Sequence, residues 1–167
     1  MDALDPVERE IADAVMEIPS RARREHWKSD RQWTTEIMAA LGRLGRAKGY
    51  DVGTSSWSLD DGHCRGEWLY DLTWVVMRDG VLADVPLVLE CEWSDKIDPD
   101  FQKLLLARAA RRVMIFQQPS PAAVEEVLSR LHVQIGAFGR TQPADRYLLF
   151  GLDWETNKFT KRLIVTP

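Results

Sequence analysis

In the stretch VLECEW (88–93), Glu90 and Glu92 are set into an otherwise apolar run, two residues apart. Strand side chains alternate between faces, so both carboxylates project from the same side. Two like charges at the end of an apolar strand repel and lose solvation unless a cation, a proton or solvent compensates. A third acid, Asp71, interrupts a second apolar register in EWLYDLTWVVM, where Leu69, Asp71, Thr73 and Val75 share a face. Acids on neighbouring strands concentrate charge that calls for a cation. Two basic clusters lie elsewhere: Arg21, Arg23, Arg24, Lys28 and Arg31 in one segment, Arg108, Arg111 and Arg112 in another. Net charge is −4, so the whole molecule is no polyanion sponge. A local basic patch can still follow a phosphate backbone, and a solvated helix face is the competing reading.

Other chemistries lack support. Ser55-Ser56 and Thr34-Thr35 have no histidine partner at a recognisable spacing for nucleophilic catalysis, and no glycine-rich phosphate loop is present. Cys64 and Cys91 lack metal-ligand spacing and read as reduced thiols. His26 and His132 read as surface residues. Tryptophan is abundant, at seven residues. Trp57, Trp68, Trp74, Trp93 and Trp154 fall in strand-like segments and are expected to pack sheet faces, Trp93 having base stacking as its alternative role. The apolar runs fall short of the roughly 20 residues a membrane span needs. The acidic N-terminus has no hydrophobic signal core, so no membrane association and a cytoplasmic setting are expected.

Elements must carry these residues. Asp5-Pro6 opens a helix over 5–17, which Pro19 is expected to end, leaving SRARREHWK as a basic connector. Ser29 and Gln32 suggest a capping box for a second helix, in which Trp33, Ile37, Leu41 and Leu44 recur at helical spacing. Glu36 sits at the edge of that stripe. Then come strands YDVGTSSWSL, EWLYDLTWVVM and VPLVLECEW as an antiparallel meander, with DDGHCRG and RDG at the turns. Asp98-Pro99-Asp100 caps a third helix carrying Phe101, Leu104, Leu105 and Arg108 and ending near Arg111. The strand RVMIFQ, the helix PSPAAVEEVLSRLHVQIGAF and two closing strands complete the order. At 167 residues with 45% hydrophobic and 29% charged content, one α/β domain is expected over 1–167. Its core spans about 29–138, preceded by the helix 5–17 and followed by a hairpin over 145–166. The architecture expected is a three-layer α/β sandwich around a mixed sheet.

This order, with Glu36 on a helix, Asp71 on the second strand and Glu90 on the third, resembles the PD-(D/E)XK superfamily, the restriction-endonuclease-like fold. The resemblance covers roughly 33–117. It implies that Glu36, Asp71 and Glu90 gather around Mg²⁺ or Mn²⁺ for phosphodiester cleavage, assisted by a lysine that follows the third-strand acid by two positions. Here that position is Glu92. The charge is reversed, so the resemblance implies a relocated cation: Lys103 on the segment DFQKLL, with Lys96 as second candidate. Glu92 has two readings, a further hard-oxygen metal ligand beside Asp71 and Glu90, or a salt-bridge partner of Lys103, Arg108 or Arg111.

The implied activity is a metal-dependent nuclease with nucleic acid as partner, DNA ahead of RNA. Arg21, Arg23, Arg24, Lys28, Arg108, Arg111 and Arg112 would guide the strand, and a homodimer stands as a further candidate partner. The alternative is a non-catalytic binding module that keeps the fold with a decayed site.

Overall fold

In a computed structural model of the chain, residues 3–54, 64–65 and 68–167 are described, 64–65 by their backbone alone. The N-terminal helix α1 (Pro6–Glu25) begins in a capping box in which Asp5 accepts from the Glu8 amide and Glu8 returns to the Asp5 amide. Contrary to expectation the helix passes through Pro19 and stops at His26, whose φ of 54° caps it in the left-handed region. Pro19 removes one backbone hydrogen bond. It lies in the buried stripe with Ile11, Val15, Ile18 and Ala22, and that packing offsets the loss. Arg21, Arg23 and Arg24 therefore stand on a helix, not in a connector. Helix α2 (Asp30–Ala47) starts where Ser29 accepts from the Gln32 amide.

The strands are β1 (Asp51–Thr54), β2 (Cys64–Arg65), β3 (Leu72–Arg78), β4 (Val81–Glu92), β5 (Arg112–Gln118), β6 (Arg146–Asp153) and β7 (Lys158–Val165). They form one mixed sheet in the order β2-β1-β3-β4-β5-β6-β7. Most of the expected first strand and its turn, with Ser55, Ser56, Trp57 and His63, lies outside the described residues. Strand β3 pairs antiparallel with β4, which runs parallel to β5 and β6, and β7 returns antiparallel. Helix α3 (Ile97–Leu106) is shorter than the sequence suggests, leaving Arg108 and Arg111 in the loop before β5. Asp98 does not cap it: its carboxylate accepts from Arg130 and Gln134 of α4 (Pro121–Ala137).

Helices α1 and α2 cover one sheet face, where Ile11, Val15, Ile37 and Leu41 meet Leu72, Trp74, Leu87 and Leu89. Helices α3 and α4 cover the other, where Phe101, Leu104, Val124 and Leu128 meet Val88, Met114, Phe116 and Tyr147. The chain is thus a three-layer α/β sandwich. At Gly45 of α2 a Cβ would lie 2.4 Å from Trp74 Nε1, so only glycine lets that helix reach the indole. The start of α1 is tied to the sheet by Arg146, which binds the buried Glu8 at 2.6 and 2.7 Å, and by Arg111, which binds Asp5 at 2.7 Å.

Candidate active site

Antiparallel pairing of Leu72 with Leu89 and Thr73 with Val88 puts Asp71 across from Glu90, on the face that α3 covers. Asp71 stands just before β3, not inside it. The alternation expected from EWLYDLTW breaks at Leu69, whose φ of 64° turns the chain, and Trp68 bridges to Tyr70. Asp71 Oδ2 accepts the Cys91 amide at 2.8 Å, which holds it against β4. Glu90 is 1% exposed.

Lys103 reaches this pair. Its Nζ lies 2.8 Å from Glu90 Oε1 and 2.9 Å from Asp100 Oδ1. Position on α3 explains the reach, since Phe101 and Leu104 are buried against the sheet and Lys103, between them, runs along the helix flank. The approach to Oε1 lacks hydrogen-bond alignment, so that buried oxygen is without a hydrogen bond. Burial pushes the Glu90 carboxyl up to about 8; Lys103 opposes the shift and the Asp71 carboxylate adds to it. Burial also opposes the charge of Lys103, but Glu90 and Asp100 outweigh it and raise the ammonium. The two shifts pull against each other. Exposure decides between them: the Glu90 side chain is 2% exposed and that of Lys103 45%, so the acid gives up its charge first.

Glu92 reaches the pair only indirectly, through Asp100 and Lys103, and Glu36 does not reach it. Glu92 Oε1 accepts the Ser94 amide at 2.6 Å. Burial raises the Glu92 carboxyl, but the bonds from Ser94 and from Asp100 leave it lowered on balance. Asp100 moves the opposite way, raised by burial and by Glu92 against the pull of Lys103. The two carboxyls thus interact with each other between β4 and α3, and among the described residues Glu92 forms no ion pair with Lys103, Arg108 or Arg111. Glu36 stands in the layer over the opposite face, where Arg21 holds its carboxylate at 2.7 Å. Among the described residues, no three His, Cys, Asp or Glu side chains gather closely enough to hold a metal ion. The four acids read from sequence divide in this structure: Glu90, across from Asp71, meets Lys103, Glu92 joins only through Asp100, and Glu36 lies apart with Arg21.

The basic residues divide. Arg21 binds Glu25 at 2.8 Å and stands over the Trp27 ring, and Arg23 reaches the Asn157 carbonyl at 3.4 Å. Arg24 and Lys28 are exposed. This cluster lies at the sheet end where β4 finishes, linked to Trp93 through edge contacts of Trp27 with Trp33 and of Trp33 with Trp93. Trp93 is half-buried and donates to Thr34 Oγ1 at 2.6 Å, a packed residue rather than an open stacking platform. In the second cluster Arg111 is engaged by Asp5 and Arg112 is buried, donating to the Ala107 carbonyl at 2.8 and 3.2 Å; only Arg108 is exposed. Sequence reasoning missed Asp100, whose spacing of three residues before Lys103 on a helix was the available signal. It also missed Tyr70, whose hydroxyl lies 3.5 Å from the Lys103 carbonyl.

No family model matches the sequence, and neither a curated protein nor a solved structure matches the chain. Among the described residues, no helix is long and apolar enough to cross a membrane.

Proposed function

We propose that the chain is a divalent-metal-dependent nuclease of the PD-(D/E)XK type, in which the lysine has moved from the third strand to the following helix. One observation carries this reading: Lys103 Nζ stands 2.8 Å from Glu90, whose strand neighbour is Asp71. The donor set fits Mg²⁺ or Mn²⁺. These ions take hard oxygens, and Mg²⁺ needs only one or two carboxylates when water and substrate phosphate complete its shell. The Asp71 carboxylate and burial both raise the Glu90 carboxyl, and a bound cation would offset that repulsion together with Lys103. When bound, the ion would supply Lewis-acid polarisation of the phosphate and acidification of water.

The chain's own part is narrower. Asp71, fixed by the Cys91 amide, and Glu90, fixed by burial, supply anionic oxygen in one place. Lys103 presents a cation at that place, suited to offset charge that builds on the reacting phosphate. Arg24 and Lys28 at the same sheet end would attract a DNA strand in preference to repelling it. A cytoplasmic setting and a homodimer belong to the same proposal.

The test is nicking of supercoiled plasmid in Mn²⁺ by the purified chain. Asp71→Asn and Glu90→Gln should each abolish it, and nicking at the parent rate by either variant rejects the assignment. A second reading, a binding module with a decayed site, draws on the engagement of Glu36 by Arg21 and of Glu92 by Ser94. Absence of Mn²⁺ binding at millimolar concentration by calorimetry favours it.

A further inference from the structure

At the sheet end where β5 and β6 begin, the loops leading into them border a cleft of about 650 Å³. Arg108, Arg112 and Arg140 all line it. Arg140, after α4, is a residue that no sequence pattern singled out. Arg112 is 5% exposed. Its Nε and Nη2 donate to the Ala107 carbonyl, Nη2 lies 3.1 Å from Asp145 Oδ1, and the guanidinium stands 5.0 Å from the Tyr147 ring centre. Its Nη1 is buried with no hydrogen-bond partner. A buried guanidinium donor left unsatisfied is costly, and a hydrogen-bond acceptor entering beside Arg112 would satisfy it.

Charge in the lining points the same way. Three arginines against Asp84 and Asp145 leave one positive charge. Arg112 and Asp145 pair with each other at 3.1 Å, and Asp145 also accepts the Gln142 amide at 2.9 Å, so the remaining positive charge is that of Arg108 and Arg140 against Asp84, which accepts the Val85 amide at 2.8 Å. Arg108 and Arg140 are exposed at the rim. Guanidinium forks match the tetrahedral oxygens of phosphate and can hold them two at a time.

We propose that this cleft binds a phosphate group, with Arg112 as its buried anchor and Arg108 and Arg140 as clamps at the mouth. The proposal is independent of hydrolysis at Glu90. The phosphate belongs either to a free phosphate ester or to a nucleic-acid strand, and the chemistry of recognition is shared.

The experiment is calorimetric titration of the full chain in EDTA, on an Asp71→Asn background so that the carboxyl site plays no part. Four probes are used: inorganic phosphate, adenosine monophosphate, and one oligonucleotide with and without a 5′-phosphate. Binding of inorganic phosphate is expected, weakened at least about tenfold by Arg140→Gln and by Arg108→Gln. Both positions are exposed, so melting temperatures should not move, and Lys161→Gln, exposed on β7 outside the cleft, should bind as the parent does. Tighter binding of the phosphorylated oligonucleotide than of the monophosphate identifies a strand, and the reverse identifies a free ester. No phosphate binding at millimolar concentration, or equal binding by the Arg108 and Arg140 variants, overturns the site whether or not the chain cleaves DNA.

Discussion

Replacing Lys103 by methionine separates the catalytic role of this residue from its structural one. Its ammonium meets Glu90 at 2.8 Å and Asp100 at 2.9 Å, with the side chain 45% exposed. A pair that open to solvent stabilises a fold by roughly 0.2–1 kcal/mol. Stranding a buried ionic partner ordinarily costs roughly 3–5 kcal/mol, but Glu90 escapes that cost. Burial pushes its carboxyl up to about 8 even against the pull of Lys103, so without the ammonium it takes a proton in place of standing as a bare buried charge. Lys103→Met should therefore lower stability by about 1 kcal/mol, a melting shift of roughly 2–4 °C for a chain of this size. Loss of a group that offsets transition-state charge costs roughly 10²–10³ in rate. The expected outcome is a near-parent melting curve by circular dichroism and plasmid nicking in Mn²⁺ reduced at least about a hundredfold. The double variant Glu92→Lys, Lys103→Met returns a lysine to the third strand and should recover part of the activity. Nicking at the parent rate by Lys103→Met, with Glu90→Gln inactive, would refute the relocated-lysine argument.

Further outcomes follow from the same contacts. Glu90 has a folded pKa of about 8 against 4.5 for a free carboxyl, so the folded chain keeps a proton that the unfolded chain loses. Metal-free stability should fall as pH rises from about 4.5 to about 8, and Glu90→Gln should remove that fall; parallel urea midpoints for the two proteins across this range contradict it. A metal needs the deprotonated carboxylate, so Mn²⁺ affinity should rise about tenfold per pH unit below 8, and a flat calorimetric profile tells against Glu90 as a ligand. Burial raises the Asp5 carboxyl, but Arg111, the Glu8 amide and Arg146 outweigh it and hold it below 3.8. Its contribution is complete above that pH and disappears as pH falls through the folded value; Asp5→Asn should cost about 1–2 kcal/mol at pH 7 by urea denaturation. Gly45→Ala brings a methyl to 2.4 Å from the Trp74 indole. The overpacking cost of roughly 1–3 kcal/mol should exceed the roughly 1 kcal/mol of helix propensity gained, so a rise in stability refutes the close approach.

Much of this protein is legible along the chain because its signals are local. Alternation sets which strand residues share a face, so the common side of Glu90 and Glu92 and the adjacency of Asp71 to Glu90 follow from period and a short hairpin. The 3.6-residue period likewise buries Phe101 and Leu104 and leaves Lys103 on the flank, one step from the strand it follows. Leu69 marks where such reasoning stops. A single left-handed residue turned an expected strand into a bend, and nothing in the alternation of EWLYDLTW signals it.

Which charges meet was decided by the tertiary structure alone. Glu36 and Glu92 have the right residue type and neighbourhood for a metal cluster, yet Arg21 takes one and Ser94 with Asp100 takes the other. Arg111 and Arg112 read as a basic patch but are drawn inward, to Asp5 and to Ala107 and Asp145. Arg140 enters a cleft with Arg108 and Arg112 only because two loops distant in sequence border the same space. Hydrophobic burial follows a repeating local pattern, so the sequence by itself determined the layers. An ion pair needs two atoms within a few ångströms, and only the packing of those layers determines which side chains come that close.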